Sequence, residues 1–207
     1  MKKLGLLITV LFVTTLSAQS NYEKGMSKAL ELWKANKTPQ AIQLFERIAN
    51  AEKDNWLPLF YVANLEIIGC FGLKEEAVLK AKLTKAKTYV DKAMAISKDN
   101  PELIITKALL NVAYVAFDGQ KYGMSLSGPT YGLYAQAIQI APNNPRVILG
   151  KAEWDIGGAK FFGKSIAPYC KDVTRALELF KTYSPKMKFY PKWGKERAED
   201  ILKECSK

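Results

Sequence analysis

Residues 158–165 read Gly-Ala-Lys-Phe-Phe-Gly-Lys-Ser, the G-x-x-x-x-G-K-S spacing of a loop that cradles nucleotide phosphates. In such a loop backbone N–H groups, a lysine and a helix dipole converge on phosphate, which needs a β-strand before the loop and a helix directly after it. Neither context is expected here. The preceding "NPRVILGKAEWDIG" has helical periodicity, and Pro168 in "SIAPYC" delays the next helix to near Asp172. No downstream apolar strand ends in an aspartate that would hold magnesium. Nucleotide is therefore not expected as a ligand. The glycines read instead as a hinge between helices, with Phe161 and Phe162 packing the segment onto its neighbours.

The other chemistry-bearing residues are sparse. The chain has no histidine, which removes the commonest general base near neutral pH and the commonest metal ligand. Ser-His-Asp and Cys-His arrangements, and zinc sites built on histidine, are excluded with it. Cys70, Cys170 and Cys205 are too scattered for a C-x-x-C site. In an oxidising compartment two can pair, Cys170 with Cys205 being the expected pair; the alternative is three small buried apolar residues. Glu153 and Asp155 are close in sequence, but residues two apart on a helix point about 200° apart and make no ready carboxylate dyad. No catalysis, metal or cofactor is expected. The aromatics of "KFYPKWG" (Phe189, Tyr190, Trp193) read as a packed lid over the last repeat, the alternative being a sugar or peptide site.

The N-terminus bounds the compartment. Lys2 and Lys3 precede an apolar run, Leu4 to Leu16, and the small residues Ser17-Ala18. This is the layout of a secretory signal, too short for a spanning helix. The alternative is an N-terminal membrane anchor. With no cysteine near the cleavage point, lipid attachment is not expected. The mature chain is then 19–207, periplasmic or otherwise exported and not membrane-spanning. Without Lys2 and Lys3 the excess of +11 falls to +9, from 29 basic and 20 acidic residues. Export makes nucleic acid an unexpected partner; an acidic partner or a polyanionic envelope surface remains open.

These residues must be positioned by helices, and the helices repeat. "KDNWLPLFYVANLE", "KDNPELIITKALLN" and "PNNPRVILGKAEWD" begin alike, and "YEKGMSKALELW" and "PKWGKERAEDIL" fit the same template. The alanines that recur in them, 29, 63, 108, 152 and 198, are spaced by 34, 45, 44 and 46 residues. Asn100 and Asn144 suit a helix N-cap, and Pro101 and Pro145 the first helical position. Second helices follow in "TPQAIQLFERIA", "KAKTYVDKAMAI", "PTYGLYAQAIQI" and "DVTRALELFKTY". "LKEEAVLKAKLTKAKTYVDKAMAI" reads as one long helix with a wet lysine face.

A unit with small residues at positions 8, 20 and 27 and a bulky one at 24 resembles the tetratricopeptide repeat. The "NPRV" start, the "KFFGKS" insert, "ALELF" and the ending "YPKWGKERAEDILKEC" are similar to exported tetratricopeptide proteins of Bacteroidota. The resemblance implies an all-α, right-handed solenoid of about four helix pairs. Its units are expected at about 22–55, 56–100, 101–144 and 145–190, with inserts between paired helices and a capping helix at 191–207. It also implies a concave surface formed by the first helices. In this chain that surface is expected at Leu57, Phe60, Asn64 and Ile67, at Glu102, Ile105, Leu109 and Val112, and at Arg146, Leu149, Glu153 and Ile156. The function expected is a non-catalytic scaffold that docks a peptide or protein there. The alternative is a solute-binding accessory of an envelope transporter, with an enclosed pocket where aromatics and Arg146 hold an organic anion.

Overall fold

In a computed structural model, which describes residues 21–185 and 187–206, three helices open on an asparagine. The side-chain oxygens of Asn55, Asn100 and Asn144 accept from the amides of Leu57, Glu102 and Arg146 at 3.1, 3.0 and 2.9 Å. Each satisfies an amide that the first turn leaves without a partner. The helices they start are α3 (Trp56–Ile68), α5 (Pro101–Phe117) and α7 (Pro145–Phe161). With α1 (21–34), α2 (Thr38–Ala51), α4 (Glu76–Ile96), α6 (Gly119–Ile140), α8 (Ala167–Thr182) and α9 (Lys195–Cys205), the described residues form an all-α stack without a strand. None of these helices is long and apolar enough to cross a membrane. The expected signal, 1–18, lies outside the described residues.

Consecutive helices from α2 to α9 pack on one another, and α3, α5 and α7 also touch in succession. This inner row explains why α3 is apolar on every side: all its residues but Ile68 are buried. By contrast α4 buries only a stripe, Leu79, Leu83, Ala86, Val90 and Ala93, and turns Lys80, Lys87 and Lys92 to water while Lys82 and Lys85 are half-buried. Ala29, Ala63, Ala108, Ala152 and Ala198 are all buried where helices meet. A larger side chain at those points would hold the backbones apart.

Three local expectations need correction. The extra residues in the middle of the chain are not loops, because α6 begins at Gly119 and runs through Pro129. Asp118 caps it, accepting from the Lys121 amide at 2.9 Å, and that cap outweighs the preference of Pro129 for a first turn. Helix α8 begins at Ala167 rather than near Asp172, with Pro168 in the first turn, where its missing N–H costs nothing. Phe161 packs as expected, its ring against Gly119, but Phe162 does not pack the segment down; the two are 59% and 71% exposed. The cysteines follow expectation: Cys170 and Cys205 form a disulfide tying α8 to α9, and Cys70 is a buried free thiol.

Candidate functional site

Between α8 and α9 the chain, residues 183–194, returns as a strap across the inner row to the first helices. Its aromatics carry it there. Trp193 meets Trp33 edge-on at 5.3 Å and lies within 6.0 Å of Phe60 and Tyr61; Tyr190 meets Trp56 at 5.7 Å and Phe189 meets Tyr22 at 5.9 Å. The Tyr61 hydroxyl donates to the Phe189 carbonyl at 2.7 Å. The "KFYPKWG" aromatics are thus a lid that reaches the first helices as well as Arg146 of the last repeat, over which it was expected.

Arg146 fixes the strap. Its Nε donates to Glu102 at 2.8 Å, its guanidinium donates to the Trp193 carbonyl at 2.8 Å, and it lies 4.3 Å from the Trp193 ring centre. Asn144 Nδ2 donates to the other Glu102 oxygen at 2.9 Å. Burial first, and Glu102 second, push the Tyr183 phenol up and keep it neutral beside this pair. Glu102 is fully buried, so the pair is closed to solvent. Arg146 is therefore committed inside the protein and is not free to hold an organic anion.

The positions expected to form a docking surface are brought to one side but covered. Phe60, Asn64, Ile105 and Leu149 are buried, and Leu109, Arg146 and Glu153 are half-buried. Glu153 accepts from Arg197 of α9 at 2.6 Å. Asn64 Nδ2 is buried without a hydrogen-bond partner among the described residues.

An open cavity of about 720 Å³ lies where the strap meets α1 and the turn before α3. Tyr22, Trp56 and Leu57 give it apolar walls; Met187 brings a thioether, and Lys53 and Lys188 bring charge. Glu52 and Asp54 also line it, and Lys188 pairs with Glu23 at 2.6 Å, so the rim is mixed in sign. Met187 is half exposed. The Tyr22 hydroxyl is buried, which raises its pKa; Asn55 beside it works in the other direction. Of these six residues only Leu57 was expected at a site, as part of the docking surface. Their sequence signal is thin: Trp56 stands where the sister units have proline, and Met187 follows no period.

A second buried charge lies on α3. Burial alone would raise the Glu66 carboxyl, but Lys85 and Lys82, both at 2.9 Å, more than offset it and hold it low. This cluster is fully paired and serves packing between α3 and α4.

No protein-family model and no curated protein sequence matches the chain. A solved structure does share its fold: the HusA haemophore from Porphyromonas gingivalis, with a TM-score of 0.78 at 19% identity over 89% of this chain and 92% of that one. At that identity the likeness establishes the fold, and the fold is one found in a Bacteroidota species. The expected peptide-docking scaffold is corrected here. Two of the residues expected on its surface, Phe60 and Arg146, are taken up by the chain's own strap, and the solved protein of the same fold is a haemophore.

Proposed function

We propose that this chain is an exported, non-catalytic carrier that holds a haem-type porphyrin as cargo in the cavity beside the strap. The observation that carries the reading is the cavity lining, in which the aromatics Trp56 and Tyr22 stand together with Met187 and the lysines 53 and 188. A porphyrin needs flat apolar walls, a donor for iron and cations for its carboxylates. Methionine and tyrosine both hold haem iron in proteins. With the Tyr22 phenol raised by burial, Met187 is the better donor at neutral pH. With no histidine in the chain, the Met187 sulfur and the Tyr22 phenol are the haem-type donors in the lining. A volume of about 720 Å³ falls within the range of small-molecule sites.

The finer architecture belongs to the same reading. The stack is read as about four tetratricopeptide-like pairs, supported by the buried alanines and the asparagine caps. Export is supported by the N-terminal sequence and by the Cys170–Cys205 disulfide, a bond kept in oxidising compartments.

Titration of residues 19–207 with haemin, followed by absorbance, tests the reading. A saturable spectral change is expected, weakened about tenfold in Trp56→Ala or Met187→Ala, the loss of roughly 1.4 kcal/mol of contact. Absence of saturation would contradict it.

A further inference from the structure

Three segments at helix ends share one composition: "FGLK" at 71–74, "FDGQK" at 117–121 and "FFGK" at 161–164. Each runs aromatic, glycine, lysine, and each follows an inner-row helix, α3, α5 or α7. They lie side by side. Glu76, at the start of α4, accepts from Lys121 at 2.7 Å and from Tyr122. The Phe161 ring covers Gly119 so closely that a Cβ there would sit 2.7 Å from it. A cavity of about 230 Å³ joins Phe71 and Lys74 to Phe117. One edge of the stack therefore carries Phe71, Phe161 and Phe162, with Phe71 47% exposed. Phe161 and Phe162 stand edge-on at 5.1 Å, and the Lys164 ammonium lies 5.9 Å from the Phe162 ring.

The backbone of the last turn has nothing to offer a peptide or a phosphate. The amides of Phe162, Gly163 and Lys164 bond the carbonyls of Gly158, Lys160 and Ala159. Gly163, at φ 64°, closes this helix end, a conformation that favours glycine. At this turn the edge thus presents rings and an ammonium group, with the amides of residues 162–164 already bonded. Most of its acids are engaged: Glu76 by Lys80 and Lys121, Asp118 by the Lys121 amide, and Glu204 by Lys160, leaving Glu75. Lys74 and Lys164 make no ion pair among the described residues. Aromatic tips flanked by lysines suit the interface of an anionic bilayer, where rings enter the headgroup boundary and ammonium groups meet phosphates. A net charge of +9 without Lys2 and Lys3 adds long-range attraction.

We propose that this edge, centred on Phe71, Phe162 and Lys164, docks the protein peripherally on an anionic lipid surface. The inference does not rest on the porphyrin reading, because the cavity at the strap is built from other residues. The test is sedimentation of residues 19–207 with vesicles of phosphatidylcholine alone or mixed with phosphatidylglycerol. Binding to the anionic vesicles is expected, weakened about tenfold or more in the Phe161→Ser/Phe162→Ser double variant, since little else anchors the turn. Lys164→Gln should lose about fivefold at low salt and nothing at high salt. Circular dichroism should match the parent; because the Phe161 ring packs on Gly119, Phe162→Ser alone, at a side chain 71% exposed, is the variant that should melt with the parent and still lose binding. Equal sedimentation with neutral and anionic vesicles would overturn the proposal. So would Phe-dependent self-association in light scattering without vesicle binding, which would make the edge an interface between copies.

Discussion

Arg146 and Trp193 are 47 residues apart in sequence, yet the guanidinium donates to the Trp193 carbonyl at 2.8 Å and lies 4.3 Å from the ring centre. This contact holds the strap that closes the inner row, and the other side of Arg146 answers the buried Glu102. Arg146→Ala would leave Glu102 charged, buried and short of its main partner. Removing one member of a buried pair typically costs about 3–5 kcal/mol. The expected outcome is a loss of that size in urea unfolding, with tryptophan emission shifted to the red as Trp193 loosens. An unshifted emission and an unchanged midpoint would mean that the strap is held by its aromatics alone.

The buried alanines give a second prediction. Ala108→Leu and Ala152→Leu add volume where helices touch, which typically costs about 1–3 kcal/mol. Ala81 lies on the wet face of α4, and Ala81→Leu should change stability by less than about 0.5 kcal/mol. Urea midpoints for the three variants check the register directly, and equal midpoints would refute it.

What could be read from the sequence, and what could not, divides along range. Asn100-Pro101 and Asn144-Pro145 are complete local signals, and the helices begin there. The recurring alanines mark close approach without naming the partner helix. Gly119 was missed as a helix start because Asp118 acts through a single side-chain bond that Pro129 masks at the level of composition. The strap was harder. Its course depends on Tyr61, Trp33 and Trp56 reaching residues more than a hundred positions away, and no spacing records that. The expected groove residues lie on one side, but their exposure depends on the strap.

Glu76 supplies a prediction in pH. Hydrogen bonds from Lys121 first, then Tyr122 and Lys80, lower its carboxyl from 4.5 to about 2. A lowered carboxylate stabilises the fold fully above its unfolded value and loses that contribution as pH falls through its folded one. The contribution of Glu76 should therefore be complete at neutral pH and fade between about pH 4.5 and 2. Carbon-detected magnetic resonance of the Glu76 carboxyl should show a midpoint near 2. A midpoint near 4.5 would mean that the α4–α6 contact opens in solution.

The central claim is that a porphyrin binds at the strap cavity, against Met187. Methionine methyl resonances of residues 19–207 test it most directly, because Met187 lines that cavity while Met124 stands exposed on α6. Titration with gallium protoporphyrin, a diamagnetic stand-in for haem, should shift the Met187 methyl saturably and leave Met124 in place. A shift at Met124 alone, or no saturable shift at Met187, would contradict the account.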